Sequence, residues 1–244
     1  MNATLETSQG KKTMKRVSIF SLAILVTALT GCESAVPAVC QIGSSFTGGY
    51  AVRLTRTGSA SSPACDTADT TPAVFGDNWI FDPYAGADGT LIIGYSATLG
   101  LPDPPDPASA LYGKGYFTAL YPDGDDNCTI NNFNMSDGAD SFAVTDMVWL
   151  NTSKYLGAEF KGNVQVVRGG CTADYTALAI WPPVTCETDD DCNPFGQPVG
   201  SGINPDFNQG CTIEPWTEAL SGDPAVGICF FKAEYPSLGG SFSP

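Results

Sequence analysis

The chain has 244 residues, no histidine, nine cysteines and a formal net charge of −15. So much negative charge repels phosphate backbones and anionic lipid headgroups, which argues against nucleic-acid binding and against membrane attachment through charge. The lack of histidine removes the commonest general base and transition-metal ligand, so Ser-His-Asp, Cys-His and His-zinc sites are excluded, and no cofactor is expected.

Residues 1–31 have the layout of an export signal. Lys15 and Arg16 give a positive start, and the 14 residues from Val17 to Thr30 are mostly apolar. That stretch is shorter than the roughly 20 residues that span a bilayer. Met14, directly before the basic pair, is the candidate true start. Leu29-Thr30-Gly31-Cys32 closes the segment and resembles the lipobox of bacterial lipoproteins. The alternative is an ordinary secretory signal with a cysteine near its cleavage site. The resemblance implies cleavage before Cys32, a lipid on that cysteine and the membrane as partner. It also implies a cell-envelope location, taken as the outer membrane on its periplasmic or surface face. One acyl chain binds a membrane only marginally, whereas two or more anchor stably. Without residues 1–31, seven basic residues face 25 acidic ones, a net charge of −18. Setting Cys32 aside leaves Cys40, Cys65, Cys128, Cys171, Cys186, Cys192, Cys211 and Cys229, an even number suited to disulfides in an oxidising compartment.

Residues 32–39 read as the lipid anchor and a tether, and residues 40–183 as an antiparallel β domain. From Phe46 to Thr55 the residues Phe46, Tyr50, Val52 and Leu54 share one face. The alternation returns from Leu91 to Leu99, with Leu91, Ile93 and Tyr95 on the apolar side, and from Tyr155 to Val167. There Phe160, Val164 and Val166 oppose Glu159, Lys161, Asn163 and Gln165, which reads as a wet face. Further strand candidates are Asn78 to Phe81, Tyr112 to Tyr121, Cys128 to Met135, Phe142 to Leu150 and Thr172 to Trp181. Short turns such as Pro122-Asp123-Gly124 and Gly169-Gly170 join them, which implies antiparallel neighbours. The stretch from Gly100 to Pro107 carries four prolines and reads as an extended loop. About eight strands fit an up-and-down barrel, narrowly preferred, or a two-sheet sandwich. The size and the Gly48-Gly49-Tyr50 start look like small lipocalin-type barrels. In a meander, strand direction puts Cys40 and Cys128 at one end and Cys65 and Cys171 at the other, so these are the expected pairs.

Residues 184–244 read as a small, irregular, disulfide-rich module. It opens on Cys186-Glu187-Thr188-Asp189-Asp190-Asp191-Cys192, which is similar to cysteine-rich modules of exported proteins, and Cys211 and Cys229 would complete it. Its segment from Asn193 to Gly210, rich in Gly, Pro and Asn, can bury little apolar surface and needs covalent staples to stay ordered.

Among candidate sites, Asp123, Asp125 and Asn127 repeat the alternating oxygen ligands of a calcium loop. Cys128 replaces the glycine that such a loop requires, so a hairpin turn is the simpler reading. Asp189, Asp190 and Asp191 could meet a cation or basic partner, against a plain acidic turn. Asp146 shares strand parity with Phe142, Val144, Val148 and Leu150, which would place a carboxylate inside the fold. Tyr95, Tyr116, Tyr121 and Trp149, with Asp146, are the candidate lining of a cavity for an apolar or sugar ligand. No residue is assigned as catalytic. The leading expectation is a non-enzymatic envelope lipoprotein that binds an unknown ligand or partner. The alternative is a structural or adhesive surface protein without a small-molecule site, and a carboxylate-dependent hydrolase stands third.

Overall fold

The alternating segments are strands in the computed structural model, which describes residues 39–43, 49–83, 90–99, 112–151, 156–196, 199–205 and 207–232. Cys32, the export signal and the proline-rich stretch from Gly100 to Pro107 lie outside the described residues. Eight strands follow one another around a closed antiparallel barrel: β1 (Tyr50–Arg56), β2 (Val74–Pro83), β3 (Leu91–Ser96), β4 (Gly113–Tyr116), β5 (Asn127–Ser136), β6 (Ser141–Asn151), β7 (Leu156–Arg168) and β8 (Cys171–Ile180). Closure is made by β1, which pairs with β2 along one edge and with β8 along the other, so the first and last strands of the barrel cover each other's edge.

Alternation fills the interior. Tyr50, Val52 and Leu54 from β1 meet Trp79 and Phe81 from β2, Phe160, Val164 and Val166 from β7, and small Ala173, Ala177 and Ala179 from β8. Large rings from one wall need small residues opposite, which is why β8 contributes alanines.

Two strand phases differ from the sequence reading. On β3 the inward residues are Ile92, Gly94 and Ser96, so Leu91, Ile93 and Tyr95 face outward. A Cβ at Gly94 would overlap the Phe81 ring, so this glycine admits the aromatic core. On β6 the phase changes part-way. Thr145 pairs with Asn163 but Val148 pairs with Lys161, a bulge in which Asp146 takes a positive φ of 51°. The extra residue turns Met147 and Trp149 inward after Phe142 and Val144, and leaves Asp146 exposed. The expected inward carboxylate at Asp146 is therefore corrected.

Beyond the barrel, β9 (Thr185–Cys186), β10 (Gln209–Thr212) and β11 (Gly227–Phe231) form a second sheet in the order β10-β11-β9. Between β10 and β11 lies helix α1 (Pro215–Ser221), opened by Pro215 and closed by Gly222 at φ +74°. This module covers part of the outer barrel wall. Ala51, Leu150 and Ile180 from the wall form one buried cluster with Ile203, Phe207, Trp216 and Phe230 from the module. The Arg53 guanidinium lies 4.9 Å from the Phe230 ring centroid and 6.0 Å from that of Trp216. Gly76 is required where the Trp216 backbone crosses β2, since a Cβ there would strike the Trp216 carbonyl oxygen.

Four disulfides tie this arrangement. Cys40 bonds Cys128 and Cys65 bonds Cys171, the two pairs that strand direction suggests. In the module, Cys186 bonds Cys211 and Cys192 bonds Cys229.

Candidate functional site

An eight-stranded barrel can be a cup or a packed core, and the side chains decide which. Here the centre is occupied by rings. Trp149 lies 4.5 Å from Phe160 and 5.1 Å from both Tyr50 and Phe81, while Trp79 stacks on Phe142 and Phe160 at 5.7 Å. The Tyr50 hydroxyl donates to the Gly157 carbonyl and accepts from the Gly43 amide at 2.6 Å, so its polar end is satisfied inside the fold. Burial raises the Tyr50 pKa and keeps that proton in place.

The expected cavity lining is not brought together. Trp149 is fully buried core, whereas Tyr95 sits on the outer face of β3 with its ring 5.6 Å from Tyr112. Tyr116 and Tyr121 are 58% and 51% exposed, and Asp146 is exposed at the bulge.

The inward carboxylate belongs to a different residue. Asp77 on β2 is buried and accepts from Trp79 Nε1 at 2.8 Å, the Asn78 amide at 2.8 Å, the Thr98 amide at 3.1 Å and the Ser96 hydroxyl. Desolvation raises its pKa, while those hydrogen bonds pull the other way. So many donors make it a polar staple between β2 and β3. Its signal was in the sequence, since Phe75, Asp77, Trp79 and Phe81 alternate, but starting the strand at Asn78 hides it.

Glu159 departs from expectation too. It lies on the outer face of β7, beside Ile180 of β8, yet it is fully buried and neither carboxylate oxygen has a hydrogen-bond partner among the described residues. Ile180 belongs to the cluster that the module covers, so the face expected to be wet is dry at this end. Burial pushes the Glu159 carboxyl up to about 9, against the opposing charge of Lys161. Asp77 inside the wall and Glu159 outside it do not face each other across a cleft, as a two-carboxylate hydrolase requires.

The remaining acidic candidates serve turns. Asp123 Oδ1 accepts the amides of Asp125 and Asn127, each at 2.9 Å, which closes the hairpin before β5. Asp191 Oδ2 accepts the amides of Glu187 and Thr188, and Asp189 accepts the Cys211 amide and pairs with Lys232. These bonds lower the pKa of both carboxyls. The sulfurs of Cys186, Cys192 and Cys229 lie within 4.8 Å of one another, but all three are in disulfides and so offer no thiolate to a metal.

Among the described residues, depressions open on the outside of both the module and the barrel. One of about 810 Å³ lies within the module, between Glu187, Asp190, Asn193 and Ser201. The other, about 390 Å³, lies on the barrel wall over Ala143, bordered by Thr57, Thr145, Asn163, Gln165 and Asp174.

Residues 46–182, more than half of the chain, match the MlpA family. The chain belongs to the MlpA family. The match runs over the barrel and stops just after β8, so the C-terminal module lies beyond it. A relative from Myxococcus xanthus, described as "Putative lipoprotein MlpA", is 32% identical over 82 residues. That alignment covers 34% of this chain and 32% of the relative, so it spans about a third of the relative's length. No solved structure matches.

Proposed function

We propose that the protein is a lipid-anchored cell-envelope protein without catalytic activity, which recognises a ligand or partner on its outer surface. In this reading residues 1–31 are removed, Cys32 carries the lipid and residues 32–39 tether the fold to the outer membrane. The Leu29-Thr30-Gly31-Cys32 pattern, the family membership and the printed description of the relative all support the anchor. The observation that carries the mode of recognition is the filled barrel. With Tyr50, Trp79, Trp149 and Phe160 in its centre, the interior is core, and the open depressions lie on the outer wall and the module.

The test uses the protein from its own membranes under nonreducing conditions. The intact mass is expected to start at an acylated Cys32 and to be eight hydrogens below the reduced chain, and Cys32→Ser is expected to move the protein to the soluble fraction. Equal fractionation of wild type and variant would overturn the anchor. A photo-crosslinking residue at Val199 or Asn163 tests surface recognition in cells, and a chain that forms no adduct from either position is purely structural.

A further inference from the structure

We propose that the outer barrel wall across β5 to β8 binds a neutral oligosaccharide, held in the depression over Ala143. This rests on the outer-surface reading above and names the ligand class.

The register builds the site. Thr145 of β6 pairs with Asn132 of β5 and Asn163 of β7, Asn163 pairs with Thr176 of β8, and Thr176 pairs with Thr55 of β1. Five exposed amides and hydroxyls thus form one row across five strands. The neighbouring row runs Lys114, Asn134, Ala143, Gln165, Asp174. Neighbouring strands place such side chains about 4.8 Å apart, a step close to the length of one pyranose unit. In the second row Ala143 is the small member, and the wall sinks there to a floor of Val164 and Tyr175. Its volume of about 390 Å³ falls within the range of small-ligand sites.

The residue types fit that ligand. Asparagine is depleted in strands, yet Asn132, Asn134 and Asn163 all occupy strand interiors and face out. A carboxamide both donates and accepts, as each sugar hydroxyl does. The side chains of Asn132, Asn134, Thr145, Asn163 and Thr176 make no hydrogen bond within the described residues, so their capacity is available. Gln165 Nε2 donates to Asp174 Oδ1 at 3.2 Å, which orients an acceptor at the rim.

Charge selects the class further. On a chain with 26 acidic and 11 basic residues the first row is uncharged, and the second carries charge only at its ends, Lys114 and Asp174. A cationic ligand would find better partners elsewhere on this surface, and an anionic one would be repelled. Tyr116 adds an apolar face. It lies two residues beyond Lys114 on the same outward parity of β4, and it is 58% exposed.

The experiment presents the mature lipidated chain, in lipid nanodiscs, with a panel of neutral tetrasaccharides: α- and β-linked glucose and β-linked N-acetylglucosamine. Binding by at least one member is expected, unchanged between low and high salt because no ion pair is formed. Ala143→Leu, which fills the depression, and the double change Asn163→Ala with Gln165→Ala are each expected to weaken binding about tenfold or more, with the melting transition retained. No binding by any panel member, or equal binding by the filled variant, would overturn the proposal. Crosslinking from Asn163 and Val199 separates the two failures. Protein adducts from either position without sugar binding leave the outer-surface reading standing and remove the oligosaccharide, whereas neither adducts nor binding removes both.

Discussion

Glu159→Gln tests the energetics of module docking. Folded Glu159 holds its proton up to about pH 9, whereas the ordinary carboxyl loses it near 4.5. Between these values the folded state carries one proton more than the unfolded state, so stability is fully present below pH 4.5 and falls as pH rises towards 9. The slope is about 1.4 kcal/mol per pH unit, which amounts to roughly 3 kcal/mol by pH 7. Glutamine has nearly the same shape and no titration, so the variant lacks this slope. Wild type and Glu159→Gln are expected to have equal stability near pH 4.5 and to diverge above it, the variant being more stable by roughly 3 kcal/mol at pH 7. The assay is guanidinium unfolding followed by the fluorescence of the buried tryptophans, disulfides intact, at several pH values. Asp77, Asp137, Asp189 and Asp191 also have shifted pKa values, but they are common to both proteins and cancel in the difference. Parallel profiles from pH 4.5 to 7 would refute the argument that this carboxyl is buried without a partner.

Gly76→Ala places a methyl against the Trp216 carbonyl and is expected to cost about 2 kcal/mol or more, with limited proteolysis shifting to residues 184–232. Cys65→Ser with Cys171→Ser opens a loop closed over 106 residues, and loop-closure entropy sets the expected loss at roughly 2–5 kcal/mol in the same unfolding assay. Asp77→Ala strips the acceptor from four donors around β2 and β3, and a loss of about 3 kcal/mol is expected. Asp77→Asn is expected to lose less, because the carboxamide oxygen still accepts.

What could be read from the sequence depended on how local each signal was. The strands from Tyr50 and Leu156 carry clean alternation, and the up-and-down order of all the strand candidates, the one that opens on Cys128 included, suggests the Cys40–Cys128 and Cys65–Cys171 pairs. The phase of β3 was not legible, because Leu91, Ile93 and Tyr95 look like core until the rings of Phe81 and Phe133 claim the space that Gly94 leaves. Asp146 was misplaced because a one-residue bulge reverses parity and nothing local announces it. Glu159 reads as wet because alternation reports which wall of a sheet a residue faces, and cannot report that a later segment of the chain covers that wall. The exposed amides of β5 and β7 were visible as polar positions, but their alignment into rows appears only once the register is known.

Strand β7 passes through both regimes, which allows them to be separated. Glu159 is buried beside Ile180, which belongs to the cluster shared with the module, while Asn163 and Gln165 lie in the open rows four and six residues on. Four residues of strand span roughly 13 Å, beyond the distance at which substitutions usually couple. Docking of the module and the proposed recognition on the wall therefore draw on different side chains of one strand. Glu159→Gln is expected to flatten the pH dependence of stability and leave tetrasaccharide binding unchanged. Asn163→Ala with Gln165→Ala is expected to do the reverse, losing binding with the pH profile intact. If either variant moved both measurements together, the wall would be responding as one coupled surface, and the division of the barrel into a covered end and a recognising end would fail.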